Sequence, residues 1–512
     1  MDLENGSLAR QVALAALGGT MLFVGFVGFG QLYLSWFCFV PALLALRDAT
    51  PRRAILLGTV YGGVFTVGGF YWIMQLLHQF ASLNWGLAFL GLLLLSLYQG
   101  LGVGLAFWFV RKSQLVLGWS PIWSLGLAIT AVEFAFPLLF PYYFGASQFR
   151  FVAITQIVEL VGMVGLGTLI TLMSGVWFEL LEARRERRRI VRARVLVPLG
   201  LFFASLAYGA ARIPAVDRAI AAAPKLKVAV VQTNLGAKDK EARASEFILR
   251  HVEMSKRAIA EHPDVDLVVW PESAYNRWIP RGTTNVSRIV TKGVDRPVLF
   301  GALTWEGGEE APLAYNSAIL TSSTGDVLGI FDKVVLLAFG ERVPLAGVFP
   351  ILKKWFPAGF TPGSRFELMR LPDGASMLPM ICYEDIIPAM VRDFWLRAGP
   401  PDVLVNVTND SWYGDSHEPI EHLALATFRT IETRRALIRS TNTGISALVD
   451  PVGRLTGRTG QWTQETLIGE VPLMRGGATT VYLRFGDWVG WSSLAGVVFA
   501  LARIIQVGRR RR

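Results

Sequence analysis

Cysteine is nearly absent from this chain. Two in 512 residues exclude a disulfide-stapled scaffold. Cys38 sits in an apolar stretch and reads as a small buried hydrophobe. Cys382 stands far away in a polar region, so the pair does not suggest a bridge. Histidine is also scarce, at five residues. His417 and His422 are five apart, off the spacing that puts two ligands on one helix face, so no metal centre is indicated. A glycine-rich phosphate loop is missing too, which leaves nucleotide use and any other cofactor without support. No internal repeat or low-complexity linker is found. Charged residues make up only 17% of the chain, against about a quarter in soluble domains. Hydrophobic residues reach 52%, with 32 Phe and 16 Trp. Part of the chain is therefore expected in a membrane.

The length allows two or three domains. A net charge of +11 raises the question of nucleic acid, but the position of the charge answers it. Arginine concentrates in ARRERRRIVRAR (183–194) and in Arg509–Arg512, each directly after an apolar stretch. Such runs read as cytoplasmic membrane flanks and not as a nucleic-acid surface.

A bilayer crossing needs about 20 apolar residues. Stretches of this kind fall near 11–29, 31–46, 54–77, 86–110, 116–139, 154–180 and 195–212, and an eighth near 487–507. The second is short, and Pro137 interrupts the fifth. The first lacks a small-residue cleavage region and is followed at once by others, so it reads as a retained span. With the N-terminus inside, the inner loops hold Arg10, Arg47, Arg52, Arg53, Arg111, Lys112 and the arginines of 184–194, while the short outer loops hold Arg150 alone. That bias predicts eight spans, both termini in the cytoplasm and residues 213–486 outside it. Glu133 and Glu159 fall within spans and are candidates for function or helix pairing, unless they sit near the outer interface, the reading favoured for Glu159. Tyr71, Trp72, Tyr142 and Tyr143 fit an interfacial aromatic belt.

The polar block has another texture. Short apolar runs ending in polar residues read as buried strands: 226–234, 266–273, 298–303, 316–322, 326–335, 376–384, 402–410 and 441–450. Helical stretches are expected at about 242–262 and 417–437. Strands alternating with helices, together with consecutive strands, predict an α/β domain with a packed double sheet. The domain reading is a seven-span region over 1–212, a linker over 213–224, the polar α/β domain over 225–475, and a final span with a basic tail over 476–512.

Three of these runs end in reactive side chains, Glu272, Lys333 and Cys382, and strand tips of α/β sheets are where sites gather. Singly each has an ordinary explanation: a helix-capping acid, a solvated lysine, a structural thiol. Together, WPES (270–273), DKVVLLAFGERVP (332–344), ICYED (381–385), NDSWYG (409–414) and FRTIETRRALIRSTNTGIS (428–446) resemble the carbon–nitrogen hydrolase, or nitrilase, superfamily. With seven spans before and one after, the whole chain is similar to the apolipoprotein N-acyltransferases.

The resemblance implies an αββα sandwich and a Glu–Lys–Cys triad. Cys382 would be the nucleophile, Glu272 the proton shuttle and Lys333 the cation beside the oxyanion. It also brings Glu341, to position base or amine, and Tyr383 and Glu384 beside the nucleophile, with Glu384 anchoring its loop or serving as a first-turn helix acid. Trp412 and Tyr413 line the acyl entrance or belong to the core. The stretch 345–360, aromatic and aliphatic around Lys353-Lys354, reads as a segment dipping into headgroups or as core. The implied partners are a phospholipid acyl donor, typically phosphatidylethanolamine, a diacylated lipoprotein acceptor and the inner (cytoplasmic) membrane of a bacterium, with a monomeric enzyme. Two other readings stay open: a membrane-tethered amidase or nitrilase, and a catalytically silent domain that binds lipoproteins.

Overall fold

A computed structural model describes residues 7–236, 244–308, 313–338, 340–342, 359–476 and 479–510. It divides into two units, Met1–Pro214 with Thr480–Arg512, and Ala215–Thr479.

The first unit is helical. Among the described residues, five helices are long and apolar enough to cross a bilayer: Leu8–Gly25, Trp85–Leu117, Val158–Arg185, Arg192–Ala222 and Trp488–Arg510. The sequence stretch at 54–77 becomes a pair, Pro51–Gly69 and Ile73–Gln79, bent by 60°. The stretch at 31–46 is a 3₁₀ turn, Leu32–Trp36, followed by the helix Phe39–Leu46, and the stretch at 116–139 shortens to Pro121–Ala135. Those last two are below spanning length. Local chemistry sets the ends. Ser7, Thr50 and Asn84 accept from the backbone N–H three residues on. Gly118, at φ +67°, ends the Trp85–Leu117 helix in the left-handed region. Small residues let the Pro51–Gly69 and Trp85–Leu117 helices meet backbone to backbone: a Cβ on Gly58 would come 2.7 Å from the Gly104 Cα, and one on Gly62 2.8 Å from the Gly100 Cα.

One expectation, on the aromatic side chains, changes here. Tyr142 and Trp72 are buried, at 5% and 4% exposure, and pack on Phe65, Phe70, Phe140 and Phe144. They are part of the aromatic core of the bundle and not of an interfacial belt. Glu159 is buried and paired with Arg212 at 2.5 Å and with the Tyr208 hydroxyl, which ties the Val158–Arg185 helix to Arg192–Ala222. The apolar flank is tolerable for that carboxylate because its charge is met. Glu133 accepts the Phe144 N–H at 2.5 Å and so fastens the turn 144–148. Cys38 is buried and donates to the Ser35 carbonyl.

Among its described residues the second unit is built on thirteen strands: β1 Lys225–Gln232, β2 Leu267–Val269, β3 Tyr275–Pro280, β4 Val298–Glu306, β5 Leu313–Thr321, β6 Val327–Asp332, β7 Met369–Arg370, β8 Ser376–Ile381, β9 Val403–Thr408, β10 Ala436–Thr441, β11 Ala447–Val449, β12 Leu455–Arg458 and β13 Glu465–Pro472. One sheet has the order β13-β1-β2-β4-β5-β6, with β3 also paired to β4, and the other β12-β11-β10-β9-β8-β7. Alternation along β1 divides its side chains. Leu226, Val228 and Val230 join Met377, Leu404 and Leu437 in one core, and Ala229 and Val231 join Ile248 and Val252 of helix Ala244–Glu261 in another. Met390 and Phe394 of helix Pro388–Ala398, and Leu423 and Ala426 of helix Glu418–Thr433, cover the second sheet. The layers are therefore helix, sheet, sheet, helix. β8, β9 and β10 are buried along their whole length, as parallel strands covered on both sides should be.

Candidate active site

β2 runs into Trp270-Pro271 and delivers Glu272 at its tip, and β6 delivers Lys333 directly after Asp332. β8 ends at Ile381, where Cys382 opens a 3₁₀ helix, Cys382–Ile386, at φ +56°. A left-handed cysteine at a strand end is a strained elbow, and such strain gathers at functional positions. Ser273, next to Glu272, is left-handed as well, at φ +53°. Gly301 on β4 is what lets Glu272 sit where it does, since a Cβ there would come 2.5 Å from the Glu272 Cα.

The three residues meet in one buried cluster. Lys333 is 1% exposed, with Nζ 2.8 Å from Glu341 Oε2 and 3.8 Å from Glu272 Oε1. Burial alone would discharge this lysine, but Cys382, Glu341 and Glu272 outweigh it and hold its pKa well above the ordinary value. Glu341 answers in the other direction: burial pushes it up, and Lys333 with the Leu337 N–H and Asn316 brings it below the usual carboxylate range. Burial, then the Glu272 charge, raises the Cys382 thiol well above normal, with Lys333 opposing. The thiol is therefore held protonated at neutral pH.

Glu384 is fully buried and clamps two loops. Its Oε1 accepts the Val334 and Val335 N–H groups at 2.7 and 2.9 Å, and its Oε2 accepts the Ile381 N–H at 2.8 Å. The segment after Lys333 is thereby fixed to the residue before Cys382. Burial pushes its pKa up to about 7. Tyr383 donates to the Leu336 carbonyl at 3.0 Å, and its ring centre lies 5.5 Å from Lys333 Nζ. Tyr413 is buried within electrostatic reach of Cys382 and Glu272, while Trp412 is half-buried beside it on the turn Asp410–Tyr413. Of the 345–360 stretch, residues 345–358 lie outside the described residues.

Sequence reasoning missed the polar groups that hold this cluster. Asn316 on β5 donates its single amide nitrogen to Glu272 at 2.7 Å and to Glu341 at 2.8 Å, bridging the two carboxylates. Behind the elbow, the Asn406 side chain donates to the Cys382 carbonyl at 2.9 Å, and its oxygen accepts from Arg439, its register partner on β10, at 3.0 Å. Arg439 also reaches Asp385 at 2.5 Å and Asp410 at 3.2 Å. His422 lies between the same two acids, at 2.8 and 3.1 Å. Burial and Arg439 oppose protonation of His422, but Asp385 and Asp410 prevail and carry it to about 10, so it is an imidazolium at neutral pH. Asp410, Glu418 and His422 have ligand atoms within 4.8 Å of one another; the Asp410 charge is met there by Arg439 and His422, while burial and Asp410 push the Glu418 carboxyl well above its ordinary value. A signal was available: Asn406 and Arg439 interrupt otherwise apolar strand runs, and a buried polar residue demands a partner.

The sequence profile of the carbon–nitrogen hydrolases matches residues 227–480, and that of the apolipoprotein N-acyltransferase N-terminal domain matches residues 18–176. An apolipoprotein N-acyltransferase of Geobacter metallireducens is 34% identical, covering 96% of this chain and 95% of that one. One of Azotobacter vinelandii is 31% identical over 88% of each. A Saccharomyces cerevisiae member of branch 10 of the nitrilase superfamily, 19% identical, covers 49% of this chain and 92% of its own with a TM-score of 0.38. The chain belongs to the apolipoprotein N-acyltransferase family and is an acyltransferase with a carbon–nitrogen hydrolase catalytic domain.

Proposed function

We propose that the enzyme N-acylates lipoproteins, carrying a fatty chain from a phospholipid, typically phosphatidylethanolamine, as a thioester on Cys382. The observation that carries this reading is Lys333, buried and held between Glu341 and Glu272 beside the elbow of Cys382. Glu272 takes the thiol proton, and the thiolate attacks the ester carbonyl of the donor. Lys333 faces the negative charge that develops on the carbonyl oxygen. The glycerol oxygen leaves with the proton from Glu272, which releases a lysophospholipid. The α-amino group of a diacylglyceryl-cysteine then attacks the thioester, Glu272 accepts its proton, and the amide forms as the thiolate departs. Glu341 fixes Lys333 and, through Asn316, Glu272. Glu384 keeps the Cys382 and Lys333 loops in register, and Trp412 and Tyr413 border the acyl entrance.

The setting follows from the charge bias. The eight apolar stretches, including the two short ones, lie in the bacterial inner membrane with both termini in the cytoplasm, and the catalytic domain faces the periplasm as part of a monomer. A lipid donor explains why a nitrilase-type site is joined to apolar helices, which a hydrolase of a small amide does not need. The test is product analysis: purified enzyme with phosphatidylethanolamine and a diacylated lipopeptide should give a triacylated peptide and one lysophospholipid per turnover. Free fatty acid as the sole product would replace this reading with an amidase-like hydrolase.

A further inference from the structure

We propose that a crevice in the helical unit, formed wholly by residues outside the catalytic cluster, binds an anionic phospholipid. A cavity of about 460 Å³ is rimmed by Arg10 and Gln11 of the Leu8–Gly25 helix, Arg47 and Asp48 after the Phe39–Leu46 helix, and Glu182 and Arg185 near the end of Val158–Arg185. A second cavity of about 380 Å³ shares Leu181 with it and is lined by Met21, Phe37, Val40 and Trp177, with Arg184 as its one charged residue. On the first two elements the apolar cavity is displaced from the charged rim, from 10–11 to 21 and from 47–48 back to 40, and on the third it overlaps the rim at Leu181 and Arg184 and reaches back to Trp177. The shift on the first helix is about 15 Å at 1.5 Å per residue, so a polar pocket continues into an apolar trough.

The charges select the ligand. Arg47 is committed to Asp48 at 3.1 Å and to Glu182 at 3.7 Å, and Arg185 leans on Glu182 at 3.9 Å. Arg10 and Arg184 make no ion pair among the described residues, which leaves positive charge at the head of the trough. Gln11 is 4% exposed, and its Oε1 accepts no hydrogen bond among the described residues. A buried amide oxygen without a donor is unfavourable, and a headgroup hydroxyl would satisfy it. The occupant is therefore a phosphodiester with a hydroxylated headgroup and net negative charge, its acyl chain in the trough beside Phe37 and Trp177, whose ring centres are 5.0 Å apart. A free phosphate has no use for the trough, and a zwitterionic lipid does not balance the surplus arginines.

Native mass spectrometry of the delipidated full-length protein, titrated with phosphatidylglycerol or phosphatidylethanolamine, tests this. A saturable phosphatidylglycerol adduct is expected in addition to any lipid taken by the catalytic site, whereas phosphatidylethanolamine should give no adduct that depends on Arg10 and Arg184. Arg10→Gln with Arg184→Gln should weaken phosphatidylglycerol about 30-fold. Gln11→Leu should weaken it as well, and Arg509→Gln with Arg510→Gln should leave it unchanged. An equal loss of phosphatidylethanolamine and phosphatidylglycerol adducts in the Arg10 and Arg184 variant, indifference of phosphatidylglycerol to those substitutions, or displacement by millimolar inorganic phosphate would overturn the proposal.

Discussion

Asn316 offers the sharpest test of how the active site is held together. Its amide nitrogen donates to Glu272 at 2.7 Å and to Glu341 at 2.8 Å, and its residue is only 4% exposed. Hydrogen bonds to charged groups are worth about 1.5–3 kcal/mol each. Losing both removes about 3–6 kcal/mol of positioning, which corresponds to about 10²- to 10⁴-fold in rate at tenfold per 1.4 kcal/mol. Asn316→Leu deletes the bonds, whereas Asn316→Asp puts a third carboxylate against two others with Lys333 as the nearby cation. The aspartate variant should therefore be the worse of the two, although it is the closer in shape. The assay is single-turnover acylation of Cys382 by phospholipid, followed by intact mass, with thermal melting run alongside. If both variants acylate within about threefold of the wild type while Glu272→Gln does not, the bridge has no catalytic weight and the positioning argument fails.

Three further outcomes follow from the same geometry. Glu384→Ala leaves the buried Ile381 N–H unpaired at about 1–3 kcal/mol and frees the part-buried Val334 and Val335 N–H groups, so the melting temperature should drop by several degrees; an unchanged melt would refute the clamp. Gly301→Ala drives a methyl group to 2.5 Å from the Glu272 Cα, and a displacement of about 1 Å at a reacting group costs about 10²-fold, so acylation should collapse in protein that still folds. His422 is lifted from 6.5 to about 10 on folding, chiefly by Asp385 and Asp410 against burial and Arg439. A raised histidine contributes stability that is complete below its unfolded pKa and lost as pH climbs through the folded one. The wild-type melting temperature should therefore fall between pH 7 and 10, and His422→Gln should show a lower but flatter profile over that window.

Much of this was legible because strands and chemistry share a grammar. Apolar runs ending in Glu272, Lys333 and Cys382 marked strand tips, and the tips do converge. The helices expected at 242–262 and 417–437 are observed at Ala244–Glu261 and Glu418–Thr433. The run at 441–450 is not one strand. It holds the end of β10, a turn and β11, while the body of β10 is ALIRST (436–441), whose Arg439 disguises a buried strand. β3, β12 and β13 escaped notice because alternating or mixed polarity left no continuous apolar run. The partners of Asn316, Asn406 and Arg439 lie far along the chain, so local spacing carries no trace of the pairing, even though Asn406 and Arg439 stand out as polar residues in buried strands. In the helical unit, Tyr142 and Trp72 were misplaced because an aromatic side chain suits a bundle core as well as an interface.

The central claim is that one sulfur carries the acyl group. Intact-mass analysis of the enzyme incubated with phospholipid alone measures it directly. The account predicts a single acyl mass on wild-type protein, released by neutral hydroxylamine and absent from Cys382→Ala. An adduct of equal size on Cys382→Ala, or none on an active wild-type preparation, would contradict it.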